Sequence, residues 1–200
     1  MKLILIILFS YLLGSVSISI LLSRFLFHDD VRAHGSGNAG ATNVARVFGW
    51  GAGLVTFAGD FAKGLLSLYF GLWLLGEAGM AIAGISCLLG HCFPLYFQFK
   101  GGKAVSVGAS VALMIDWRLF AAVMAVFILI ALCTRLVSLA SMSAVLALAI
   151  LTVLLFPSPW RITLAIFTAA LLLFMHRGNI KRLVRGEEPK FTPGQRPEKK

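Results

Sequence analysis

The sequence predicts an all-α integral membrane protein with seven transmembrane helices, some of them short or broken. Three observations carry this. Hydrophobic residues make up 59% of the 200 positions and charged residues 13%, about half the charged share of a soluble domain. The mean hydropathy is +0.91. The apolar residues also fall into long runs, parted by clusters of polar and turn-forming residues. So much apolar surface must face lipid, and the length leaves no room for a separate soluble domain beside several spans.

The runs cover about 3–23, 49–75, 80–99, 104–115, 119–134, 137–156 and 162–175. The first begins after Lys2 and reaches Gly14 in the manner of a signal peptide. Apolar sequence resumes at once through Ser15–Phe27, so the expectation is one uncleaved span. Breaks follow at His28–Asn43, at Gly76-Glu77-Ala78-Gly79, and at Lys100-Gly101-Gly102-Lys103. Further breaks fall at Asp116-Trp117-Arg118, at Arg135, and at Pro157-Ser158-Pro159-Trp160-Arg161. The run 104–115 would rise only about 18 Å against roughly 30 Å of hydrocarbon. The Gly-Gly turn before it must therefore sit deep, and non-helical backbone at that depth needs protein or a wet cavity around it. Residues 1–185 read as a single transmembrane domain, and 186–200 as a flexible, basic, solvated cytoplasmic tail.

Charge sets the orientation. With the N-terminus outside and alternating spans, the inner segments hold 14 of the 18 Lys and Arg residues. Eight of these lie in 177–200, against three Glu. Such a tail can suit nucleic acid, but on a membrane chain it marks the cytoplasmic face and anionic headgroups, so no nucleic-acid partner is expected. The C-terminus is then cytoplasmic.

Three polar constellations fall on that inner side. The first is His34-Gly35-Ser36-Gly37-Asn38-Ala39-Gly40-Ala41-Thr42-Asn43-Val44-Ala45-Arg46. Its glycines let backbone N–H groups turn toward an anion, and Ser36, Asn38, Thr42, Asn43 and Arg46 add side-chain groups. A flexible loop is the plain alternative, but Arg46 at a helix entrance argues against it. The second is Gly90-His91 with Phe99-Lys100-Gly101-Gly102-Lys103-Ala104-Val105. A Gly-Gly pair between lysines at a helix start makes a compact anion site. Snorkelling at the membrane edge explains Lys100 as well as it explains Lys103 poorly. The third is His176-Arg177-Gly178-Asn179-Ile180-Lys181-Arg182. A basic helix cap accounts for Lys181 and Arg182, and less well for His176 and Asn179.

Asp60 and Lys63 lie mid-span, one turn apart. Both must face protein or water, either as a structural pair or in support of the phosphate site. Cys87, Cys92 and Cys133 read as small hydrophobes. No metal-ligand cluster, Asp-rich Mg²⁺ site or Gly-x-Ser-x-Gly turn is visible, so neither metal nor cofactor is expected.

These motifs resemble those of the bacterial acyl-phosphate-dependent glycerol-3-phosphate acyltransferases. The likeness spans almost the whole chain: the Gly35–Arg46 loop, Asp60-Phe61-Ala62-Lys63-Gly64, Gly90-His91, Phe99–Val105 and His176–Ile180. Met175 departs from it, standing where a basic residue precedes the histidine. The resemblance implies transfer of a fatty acyl group from long-chain acyl phosphate to the sn-1 hydroxyl of glycerol 3-phosphate. Lysophosphatidate and phosphate result, as the first step of phospholipid synthesis at the bacterial inner membrane. The His-x4-Asp motif of many thioester-dependent acyltransferases is absent: Ala33, Ala39, Tyr96 and Lys181 follow the four histidines at that spacing.

The expected roles follow. Ser36, Arg46 and Lys103 hold phosphate, with Lys103 also stabilising the leaving group and Gly101 and Gly102 lending backbone donors. Asn38, Asn43 and Asn179 position substrate or loops. His176 either orients a phosphate or acts as base, the first being favoured. Partners are glycerol 3-phosphate, acyl phosphate and membrane lipid, and the oligomeric state is open. The alternative is a transporter of a phosphorylated metabolite, which also uses broken helices and cationic recesses.

Overall fold

The computed structural model describes residues 1–194, and among these every regular element is helical. The nine α-helices are α1 (Lys2–Ser15), α2 (Ile18–Phe27), α3 (Ala41–Phe48), α4 (Trp50–Cys92), α5 (Val105–Ile115), α6 (Trp117–Thr134), α7 (Val137–Leu155), α8 (Pro159–Met175) and α9 (Arg177–Val184). Four stretches are long and apolar enough to cross a membrane: Lys2–Phe27, Trp50–Phe97, Trp117–Thr134 and Val137–Leu155. Helices α8 and α9, bent by 60° at their junction, together make a fifth.

The α4 stretch is two antiparallel arms. Leu75 and Gly76 leave helical geometry, and Gly76 takes φ 61° and ψ −149°, a conformation open to glycine alone. The chain folds back there. Ser67 Oγ donates to the Ala83 carbonyl at 3.3 Å, though a straight helix would part them by about 24 Å. A Cβ on Gly71 would lie 2.2 Å from the Gly79 carbonyl oxygen, so paired glycines let the two backbones touch.

The first span is broken at Val16–Ser17, where backbone turns extended. The break leaves the Val16 carbonyl without a helical donor, and Lys63 Nζ supplies one at 2.5 Å. Lys63 also lies 2.8 Å from Asp60 Oδ1, so the expected one-turn pair forms.

Helix α5 is short, as its sequence predicts, and is wrapped by protein: eight of its residues are buried, Ser110 among them. It lies in one apolar core with Leu68, Leu88, Leu148 and Leu164. The outer surface is apolar too, with Leu54, Leu66, Trp73, Leu129 and Leu132 exposed. A membrane supplies the missing partner for that surface.

One expected feature differs. The run from Gly35 to Arg46 was to lead straight into a span. Instead Ala41–Phe48 forms a separate helix, ended by Gly49 at φ 92°, so Arg46 stands on α3. The expected solvated tail also makes contacts as far as it is described. Phe191 N–H donates to the Arg135 carbonyl at 2.9 Å, and its ring meets Trp50 edge-on at 5.2 Å. Residues 195–200 of that tail lie outside the described residues.

Candidate active site

The three polar constellations meet around one cavity of about 170 Å³. Loop and helix chemistry explain how each side chain gets there. Gly35 and Gly37 take φ 59° and 70°, which turns the chain back on itself before α3. Asn43, buried on α3, ties this turn together. Its amide NH₂ faces the carbonyls of Val31, His34 and Asn38 at 3.0–3.1 Å, and its Oδ1 accepts from Ser36 N–H at 2.9 Å. Ser36, Asn38 and the first turn of α3 thereby line the cavity, and Arg46 joins them one turn further on.

Lys103 enters from the start of α5. Ala104 takes the left-handed conformation at φ 64°, rare for a residue with a Cβ, which reverses the chain before the helix. Lys103 Nζ donates to Asn179 Oδ1. His176, Asn179 and Arg182 recur at every third position across the α8–α9 bend, so they share a face, and all three line the cavity. His176 Nδ1–H donates to the Leu172 carbonyl at 2.8 Å, which sets the tautomer and leaves Nε2 as the free ring nitrogen.

Electrostatics match an anionic ligand. Burial, with Arg182 and Arg46 close by, brings the Lys103 ammonium down to about 8. Burial likewise lowers Arg46 from its usual value. The carboxylate of Glu188 lies among these cations. Burial raises it, but hydrogen bonds from Asn179 Nδ2 at 2.6 Å and Arg182 Nε at 2.7 Å more than offset this, and it is held below the usual range.

Of the nine expected site residues, seven reach the cavity or its framework: Ser36, Asn38, Asn43, Arg46, Lys103, His176 and Asn179 all line it. Gly101 and Gly102 do not. Their N–H groups are engaged by the Cys92 and His91 carbonyls at 3.2 and 3.1 Å, so they are not free to cradle a phosphate. Their lack of a side chain is the point instead. A Cβ on Gly101 would fall 2.1 Å from the His91 carbonyl oxygen, and one on Gly102 would fall 2.2 Å from His91 Nε2. They allow close packing that seats Lys103.

Sequence reasoning missed Arg182, Glu188, Ser138 and Ser141, which also line the cavity. Arg182 was readable from its spacing to Asn179. Glu188 was not, since nothing in its neighbourhood shows that the chain returns to the cavity. Among the described residues no group of three His, Cys, Asp or Glu is placed to hold a metal ion.

A second hollow adjoins the first. It measures about 540 Å³, shares Thr42, Phe57 and Phe127 with the cavity, and is walled by Trp50, Leu54, Leu132 and Phe191. A cationic cavity beside an apolar groove suits a ligand with a phosphate and a fatty chain.

Comparison with known proteins agrees. The family model described as glycerol-3-phosphate acyltransferase matches residues 4–186. Curated proteins named glycerol-3-phosphate acyltransferase are similar along nearly their full lengths. The one from Thermoanaerobacter pseudethanolicus is 35% identical, over 91% of this chain and 92% of its own. The one from Paraburkholderia phytofirmans is 40% identical, over 91% and 87%. Two crystal structures of PlsY, an integral membrane glycerol 3-phosphate acyltransferase, share the fold. Its glycerol 3-phosphate form superposes with a TM-score of 0.92 at 32% identity, covering 96% of both chains. Its lysophosphatidic acid form gives 0.87 at 33%. Motifs, cavity and relatives thus converge on one statement: this chain is an integral membrane acyltransferase and belongs to the glycerol-3-phosphate acyltransferase family.

Proposed function

We propose that this chain moves a fatty acyl group from long-chain acyl phosphate to the sn-1 hydroxyl of glycerol 3-phosphate. The observation that carries this is the convergence of Arg46, Lys103, Arg182, His176 and Asn179 on one cavity that opens beside an apolar groove. Both substrates carry phosphate, and one carries a chain that the groove suits. The bound forms of the solved relatives correspond to the acceptor and the acylated product.

In this mechanism the acceptor oxygen attacks the acyl carbonyl carbon. The bond from that carbon to the phosphate oxygen breaks, and phosphate leaves with the electron pair. Lys103 and Arg46 hold phosphate, and Lys103 stabilises the charge that grows on the leaving group. Ser36 adds a hydroxyl donor, while Asn38 and Asn179 position substrate. The hydroxyl proton passes to a substrate phosphate oxygen, with His176 Nε2 orienting a phosphate. An acyl phosphate is already activated, so positioning and charge do most of the work.

The membrane arrangement belongs to the same proposal. Seven crossings follow if α1–α2, each arm of α4, and α5 to α8 each count once. The N-terminus is outside, and the cavity opens to the cytoplasm from the inner membrane. The charge asymmetry, with 14 of 18 basic residues on the inner segments, supports this. Nothing observed favours the transporter alternative.

The test uses purified protein in detergent with labelled glycerol 3-phosphate and either palmitoyl phosphate or palmitoyl-CoA. Lysophosphatidate should form from the acyl phosphate alone. Product from the thioester would refute the donor, and no product from either would refute the reaction.

A further inference from the structure

Two backbone bonds close the end of α9: Gly186 N–H to the Leu183 carbonyl at 3.1 Å, and Glu187 N–H to the Arg182 carbonyl at 2.8 Å. With Gly186 at φ 71°, this is a glycine stop that turns the chain back along its own helix. The segment that follows does not leave the protein. Glu188 bonds to Asn179 and Arg182 on α9, and Phe191 N–H to the Arg135 carbonyl between α6 and α7. Gly194 N–H then reaches the Ala45 carbonyl on α3 at 3.2 Å. Anchors at three separate places in the fold make residues 187–194 a strap rather than a loose end.

The strap follows the line where cavity and groove adjoin. Glu188 and Pro189 line the cavity, whereas Phe191 and Pro193 line the groove. The half-buried Phe191 ring meets Trp50 edge-on at 5.2 Å, so strap and α4 touch where both line the groove. Trp50, Leu132 and Phe191 belong to the groove alone, and Thr42, Phe57 and Phe127 are shared with the cavity. A chain that starts in the cavity therefore passes the shared residues first and meets Phe191 further along. The matched family region ends at residue 186, so the strap lies outside it.

We infer that the strap clamps the far part of the donor's acyl chain in the groove, with Phe191 as the residue that sets a preference for long chains. This rests on the acyltransferase reading above. Each methylene buried against apolar wall adds to binding, so the gain grows with chain length until the groove is filled. A donor too short to reach Phe191 gains nothing from it. The phosphate contacts are the same for every donor, so they cannot supply this discrimination.

The test measures kcat/KM for octanoyl, dodecanoyl and palmitoyl phosphate at saturating glycerol 3-phosphate in one detergent. The native enzyme should favour palmitoyl over octanoyl phosphate by about tenfold or more. Phe191→Ala should cut that ratio at least about fivefold, and Phe191→Leu, which keeps a large apolar side chain, should restore most of it. A chain ending at Pro189 keeps Glu188 with its bonds and should behave as Phe191→Ala. The ratio is insensitive to how much enzyme is folded, and donor partitioning into micelles is common to all variants. No preference for long donors in the native enzyme would overturn the inference. So would a native ratio in both Phe191→Ala and the shortened chain, whether or not the rates fall, which would leave the strap a structural tie. Either result leaves acyl transfer from acyl phosphate standing, whereas no product from any donor would remove the underlying reading.

Discussion

Lys103 Nζ donates a hydrogen bond to Asn179 Oδ1, joining the start of α5 to the first turn of α9. Asn179 in turn donates from Nδ2 to Glu188 Oε1 at 2.6 Å. The amide is therefore oriented from both sides, oxygen toward the ammonium and nitrogen toward the carboxylate. Two motifs lying 76 residues apart act as one unit.

Replacing Lys103 by alanine removes the cation and leaves Asn179 Oδ1 unpaired. A loss of about tenfold or more in kcat/KM is expected, read as phosphate release from palmitoyl phosphate. Unchanged efficiency would show that this ammonium touches neither phosphate.

The same lysine predicts a pH profile. Its ammonium is depressed to about 8, well under the ordinary lysine value, so it is charged below that pH and neutral above. The value of kcat/KM, which reports the free enzyme, should fall as pH rises through about 8. Lys103→Arg keeps its charge to far higher pH, so this falling limb should vanish even in a slower enzyme. A native profile that stays flat well above pH 8 would contradict the assignment.

His176 is held by its Nδ1–H bond to the Leu172 carbonyl, so its other nitrogen is presented in a fixed direction. If it orients a phosphate, His176→Ala should raise KM for glycerol 3-phosphate about tenfold, with a smaller change in kcat. A drop in kcat alone, by about a hundredfold or more, would make it the general base instead.

Asn43 acts on the fold of the loop. Its amide serves three backbone carbonyls and one N–H while almost fully buried. Asn43→Ala should cost about 2–4 kcal/mol, since it leaves those groups without partners. The thermal midpoint in detergent should drop with it. Asn43→Asp should fare no better, because a carboxylate cannot donate to the three carbonyls. A midpoint equal to the native one would refute this role.

Much of the site was legible in the sequence because unusual residues stand out against an apolar background. Arg46, Lys103, His176 and Asn179 could be picked from their motifs, and the fold gathers them around one cavity. The short run before Asp116 implied protein around it, and eight residues of α5 are indeed buried. What was not legible depends on contacts between distant segments. Glycine richness at Gly101-Gly102 looks the same whether the N–H groups face a ligand or the missing Cβ atoms admit His91. The fold chose the second. Glu188 sits in a stretch whose Gly, Pro and charge suggest solvent, and only its bonds to Asn179 and Arg182 reveal its place. The Asp60–Lys63 spacing announced a pair, but not that His91 stands across the hairpin from it.

The bond from Lys63 to the Val16 carbonyl has a consequence for biogenesis. During synthesis the first span emerges with a gap in its own ladder, and the residue that closes it is 47 positions behind. Until then that carbonyl must stay near water or the translocon wall, because bare hydrocarbon offers it nothing. The nascent leading segment therefore carries the cost of an unpaired carbonyl, a few kcal/mol in order of magnitude, for as long as it stands in lipid by itself. Docking of the first arm of the hairpin removes that cost, so the break in the first span is affordable only because a later segment of the same chain completes it.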